Sequence, residues 1–91
     1  MMILHVIEAR YVAGHKVWLL FNDGASGEID LSDALGGPVF QPLRDIAYFK
    51  RFKLRFHTLS WDNDADFAPE FLREKLAETM PAMELVPAID S

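Results

Sequence analysis

The stretch Ser60-Trp61-Asp62-Asn63-Asp64-Ala65-Asp66-Phe67-Ala68-Pro69 holds three carboxylates at alternate positions, a spacing that invites a test for metal binding. A helix-loop-helix calcium loop places oxygen ligands at positions one, three and five, Gly at six and a bidentate Glu at twelve. Counted from Asp62, the first three positions match, but position six is Phe67 and position twelve is Arg73, a cation where the anionic clamp belongs. Acid–base chemistry by a pair of these carboxylates would need a cleft that raises one pKa, and an exposed turn supplies no such burial. The expected role is structural: Asp62, Asn63 and Asp64 turn the chain, and Asp66 lies near the positive end of the helix that follows.

Other chemistries have less support. His5, His15 and His57 are far apart, with no pair at metal-ligand spacing. Gly24-Ala25-Ser26-Gly27 is too short for a nucleophile elbow and precedes a strand. Gly36-Gly37-Pro38 reads as a turn, and neither a phosphate loop nor a dinucleotide fingerprint is present. No nucleophile, base and oxyanion donor come together, so the sequence predicts a non-enzymatic protein that needs no metal and no cofactor.

The strongest remaining local pattern is Tyr48 to His57, where Lys50, Arg51, Lys53 and Arg55 interleave with aromatic rings. Cations that hold phosphates beside rings that stack bases suit single-stranded nucleic acid, and on a strand Lys53, Arg55 and His57 would share one face. The competing reading places Phe52, Leu54 and Phe56 in the core, with the cations solvating an edge strand. The net charge of -5 favours the second, so direct nucleic-acid binding through residues 48–57 is kept only as the alternative.

These side chains must be positioned by one domain, because 91 residues with 51% hydrophobic content support a single core. The lack of cysteine excludes disulfides and thiolate sites and suits a reducing cytosol. His5, Glu8 and Arg10 interrupt the apolar N-terminus, so it does not read as a signal peptide, and no apolar run approaches the ~20 residues that span a bilayer.

Periodicity predicts a strand over Ile3 to Val12, a break at Ala13-Gly14, a second strand from His15 to Asn22, a turn at Asn22-Asp23-Gly24 and a short strand from Ala25 to Ile29. Asp30 is placed to cap a single helical turn that Gly36 can end in a left-handed conformation. Pro42 opens a short helix to about Phe49, with Leu43, Ile46 and Phe49 on one side. Lys53 to Trp61 is extended. Pro69 to Thr79 is the best helix, carrying an apolar stripe of Phe71, Leu72 and Leu76. Residues 1–79 form the domain and 80–91 a tail, whose Met83, Leu85, Val86 and Ile89 are apolar enough to dock.

Strands followed by helices predict an α+β sandwich of two layers: a mainly antiparallel sheet of about four strands, with short helices and a C-terminal helix on one face. Val17, Leu19 and Phe21 occupy one face of the second strand, Trp18 and Leu20 the other, so something must cover Trp18. The options are a loop, the tail or a second copy of the chain, which makes a homodimer one expectation.

The order of segments, VWLLFNDGASGEIDLSDAL, VFQPLRDIAYFKRF and LSWDNDADFAPEFL, resembles the small, mostly bacterial family known as domain of unknown function 2442. Its patterns fall on Phe21, Asp23, Gly24, Gly27, Asp30 and Leu31, then Phe40, Leu43, Asp45 and Phe49, then Trp61, Asn63, Asp66, Phe67, Pro69, Glu70 and Leu72. Asp64 stands where the family pattern has a turn glycine, and Ala68 where a capping Ser is common. The resemblance implies a sensing or protein-binding module in regulation, acting with a DNA-binding or toxin-like partner because these residues hold no DNA-reading module of their own. Phe21, Asp23, Gly24, Trp61, Asn63 and Asp66 would then be its scaffold or site. Structural reasons suffice for most, whereas Asp23 and Asn63 either brace their own backbone or face a ligand.

Overall fold

The computed structural model describes residues 3–79. The proposed docking of tail residues 80–91 lies outside the described residues. Strands β1 (Val6–Ala13), β2 (Lys16–Phe21) and β3 (Ser26–Asp30) form an antiparallel meander. Strands β4 (Lys53–Arg55) and β5 (Thr58–Ser60) form a separate antiparallel hairpin. Single 3-10 turns at Ser32–Ala34 and Gln41–Arg44, the short helix α1 (Ile46–Phe49) and the longer α2 (Pro69–Thr79) complete an α+β fold. None of the described helices is long and apolar enough to cross a membrane.

Alternation on β2 sets the layers. Val17, Leu19 and Phe21 are fully buried on the inner face, where α2 packs against β3 and Leu72, Leu76 and Ile29 join the same core. Each such side chain removed from water stabilises the fold by about 1.5–3 kcal/mol. The predicted break at Ala13-Gly14 falls one residue later: β1 runs through Ala13, and Gly14-His15 make the turn, Gly14 at φ +55°.

The connecting segments depart from expectation for local reasons. Asp30 accepts a hydrogen bond from Ser32 N–H, but the cap position of the turn falls on Leu31, where no side chain caps it, and the left-handed residue that follows is Gly37 at φ +89°, not Gly36. The helix expected from Pro42 to Phe49 is cut in two at Asp45, whose extended backbone lets its own carboxylate accept the Ala47 N–H and start α1 afresh. Leu43 and Phe49 are buried as the spacing implies, yet the cut turns Ile46 outward, 39% exposed.

The largest departure lies between Lys53 and Trp61. That stretch is not one strand but a hairpin, reversed by Phe56 and His57 at φ +53° and +68°. Two consecutive positive φ values define the tight turn whose backbone twist matches its flanking strands, a position normally filled by Asn-Gly. Lys53, Arg55 and His57 therefore do not share one strand face, and neither Leu54, 40% exposed, nor Phe56, 80% exposed, points into the core. The outer edge of β5 is continued by residues 65–67 through Trp61 N–H to Ala65 O, Phe67 N–H to Leu59 O and the Ser60–Asp66 bridge.

Phe49 joins the two sheets. Its ring lies 4.9 Å from His15, 5.7 Å from Trp61, 6.3 Å from Phe52 and 6.4 Å from Tyr11, and its carbonyl accepts the Trp61 indole N–H at 2.9 Å.

Candidate interaction groove

The three aspartates do not converge. Asp62 turns toward the basic stretch, 3.2 Å from Lys53 Nζ and 3.4 Å from Arg51 Nη2, and hydrogen bonding from Lys53 holds its carboxyl below the usual carboxylate range. Asp64 carries the turn at φ +69°. Asp66 is exposed. Among the described residues no cluster of three or more His, Asp or Glu side chains is arranged to hold a metal ion.

Asn63 braces the corner. Its amide oxygen accepts Ala65 N–H at 3.1 Å and its amide nitrogen donates to Val39 O at 2.9 Å, tying the turn to the segment before Phe40. Asp23 does the same at the β2–β3 turn: it accepts Ala25 N–H at 3.0 Å and Arg73 Nε at 3.0 Å, so that α2 is fastened to the turn. The Ala25 N–H first, and the Arg73 guanidinium second, hold the Asp23 carboxyl below its ordinary value. Gly24 supplies φ +91° between them. Phe21 and Trp61 are buried. Both side chains thus close on the backbone of their own turns.

The concavity lies elsewhere. Phe40, Phe67 and Phe71 form a ladder of nearly parallel rings, with centroids 4.8 Å apart for the first pair and 5.5 Å for the second. Beside Ala34, and below Asp33 and Lys75, they line a groove of about 450 Å³. The groove is shallow and open to solvent, so it can take a side chain laid against its rings. A second hollow of about 250 Å³, bounded by Asp30, Ser32, Asp33, Lys75, Glu78 and Thr79, adjoins it. Lys75, 16% exposed, donates to Asp33 at 2.7 Å, while Asp33 stays 73% exposed. Lys75 and Asp33 thus offset one another at the edge of the groove, and Asp30 and Glu78, which bound the second hollow, leave that side acidic.

A family model described as protein of unknown function (DUF2442) matches residues 6–78. The chain belongs to the DUF2442 family. No curated protein and no solved structure matches this DUF2442 chain.

In this DUF2442 member the basic stretch is engaged locally. Besides the pairs with Asp62, the Lys50 ammonium sits 5.2 Å from the Tyr11 ring, the Arg51 guanidinium 5.5 Å from Tyr48 and the Arg55 guanidinium 5.5 Å from Phe56. Trp18 is half-buried on the outer face of the meander, where its cross-strand neighbour Arg10, hydrogen-bonded to Glu8, places its guanidinium 5.5 Å over the indole. His5 and His57, distant in sequence, stack with centroids 3.9 Å apart and planes 9° from parallel.

No sequence pattern joins the groove residues Asp33, Phe40, Phe67, Phe71 and Lys75. Phe71 belongs to the apolar stripe of α2, but at 38% exposure it lines the groove. The usable signal was the four-residue spacing of Phe67, Phe71 and Lys75, which puts successive side chains along one side of a helix and its lead-in.

Proposed function

We propose that this DUF2442 chain is a non-enzymatic protein-interaction module in bacterial regulation, acting in the cytosol by taking an apolar, cation-bearing segment of a protein partner into the Phe40–Phe67–Phe71 groove. A DNA-binding or toxin-like protein is the kind of partner the family resemblance suggests. The observation that carries the reading is the groove itself: an aromatic ladder lining about 450 Å³, with an acidic hollow beside it. Exposed aromatic surface bounded by charge is typical of recognition sites, where a buried aromatic anchor supplies affinity and the rim charge supplies selectivity. The polar motif side chains support the same reading, because Asp23, Asn63 and Trp61 are engaged in bracing turns and core.

The test is an NMR titration of the isotope-labelled chain with two blocked dipeptides, acetyl-Arg-Phe-amide and acetyl-Glu-Phe-amide. Shifts at Ala34, Phe40, Phe71 and Lys75 are expected with the first and weaker ones with the second. If neither dipeptide moves these resonances, the groove is not a recognition site.

A further inference from the structure

We infer that the segment this groove takes in the free protein is the β4–β5 turn of a second copy, Arg55-Phe56-His57. The inference rests on the groove reading above and names its occupant.

The turn holds a backbone conformation that its own two central residues disfavour. Phe56 and His57 both hold positive φ, a region that strains side chains with a Cβ and that glycine or asparagine would adopt with ease. Strain of this kind persists where the displayed group has a use. What is displayed is a benzyl ring, 80% exposed, with the Arg55 guanidinium 5.5 Å from its centroid. The tip is also anchored from behind, since Val6 N–H donates to His57 O at 2.9 Å and His57 stacks on His5. Such a tip offers a rigid aromatic group at little entropic cost on binding.

Tip and groove are complementary in both respects that matter. The groove presents the ring ladder of Phe40, Phe67 and Phe71, against which a further phenyl can stack. The hollow that adjoins it carries Asp30, Asp33 and Glu78 against Lys75, which is paired with Asp33, so that this side is opposite in sign to Arg55. The exposure of Phe56 shows that it does not sit in the groove of its own chain, so the donor is another molecule. The contact runs tip to groove, and it either closes into a twofold pair with two such contacts or propagates head to tail.

The experiment is sedimentation velocity on the full chain up to about 1 mM, where a contact of this size is measurable, with folding of each variant checked by NMR dispersion. The intact chain is expected to gain mass with concentration. Phe56→Glu, which lacks the tip, and Phe71→Glu, which lacks the groove, should each weaken association about tenfold or more. An equimolar mixture of the two should recover a one-to-one complex, because the intact tip of one variant meets the intact groove of the other. If Phe71→Glu unfolds, Asp33→Lys replaces it as the groove variant. A monomer at the highest concentration, association that survives Phe56→Glu, or a mixture that stays monomeric would each overturn the inference. Binding of acetyl-Arg-Phe-amide by a chain that remains monomeric leaves the groove reading standing and removes only the second copy.

Discussion

Gly27 and Leu76 meet where β3 passes beneath α2: a Cβ built on Gly27 would lie 2.7 Å from Leu76 Cδ1, closer than real carbon atoms approach. Gly27 also holds φ +155°, which a side chain at this position would strain. Gly27→Ala is therefore expected to destabilise the protein by about 1–3 kcal/mol through overpacking. Urea unfolding of Gly27→Ala, Leu76→Ala and the double variant checks the cause. The double variant should cost less than the sum, with a coupling of at least ~0.5 kcal/mol. Strict additivity would mean that the helix does not rest on this glycine.

Asp64 holds φ +69°, the left-handed region that glycine adopts most easily. The left-handed conformation costs a residue with a Cβ about 1–2 kcal/mol, less for Asp than for most, and glycine's greater freedom when unfolded offsets part of the relief. Asp64→Gly should stabilise by ~0.5 kcal/mol net. A denaturation midpoint that stays put or falls would show the turn to be unstrained.

Asp23 makes folding sensitive to acid. Its carboxyl is held below the unfolded value of 3.8 by the Ala25 N–H and then by Arg73. A depressed folded-state pKa gives stability that is complete above the unfolded value and is lost as pH falls through it toward the folded one. The ion pair with Arg73, its side chains 32% and 26% exposed, adds under about 1 kcal/mol. Thermal melting of the intact chain should decline more steeply than that of Asp23→Asn between about pH 5 and pH 2. Parallel curves would dismiss the brace.

The meander and α2 were readable because their periods are pure: apolar alternation marks β2, and Leu72 and Leu76 mark the buried side of a helix. Asn63 and Asp23 were readable as turn residues, although only coordinates decide that their side chains close on their own backbone. The β4–β5 turn was not, because its two central residues are an aromatic and a histidine instead of Asn-Gly, and tertiary anchoring at His5 and Val6 overrides the local preference. The groove escaped for a different reason. It assembles from the 3-10 turn at Asp33, the loop at Phe40 and the helix at Phe71 and Lys75, segments that no single period connects.

Phe49 gives the molecule its cooperativity. A three-residue hairpin strand pair has little stability by itself, and the meander is only modestly larger. One phenyl ring presses on Tyr11 and His15 from the meander side and on Trp61 from the hairpin side, and the same residue's carbonyl takes the indole proton. Neither sheet can open without exposing that shared ring, so loss of the hairpin and loss of the meander are expected as one thermal event.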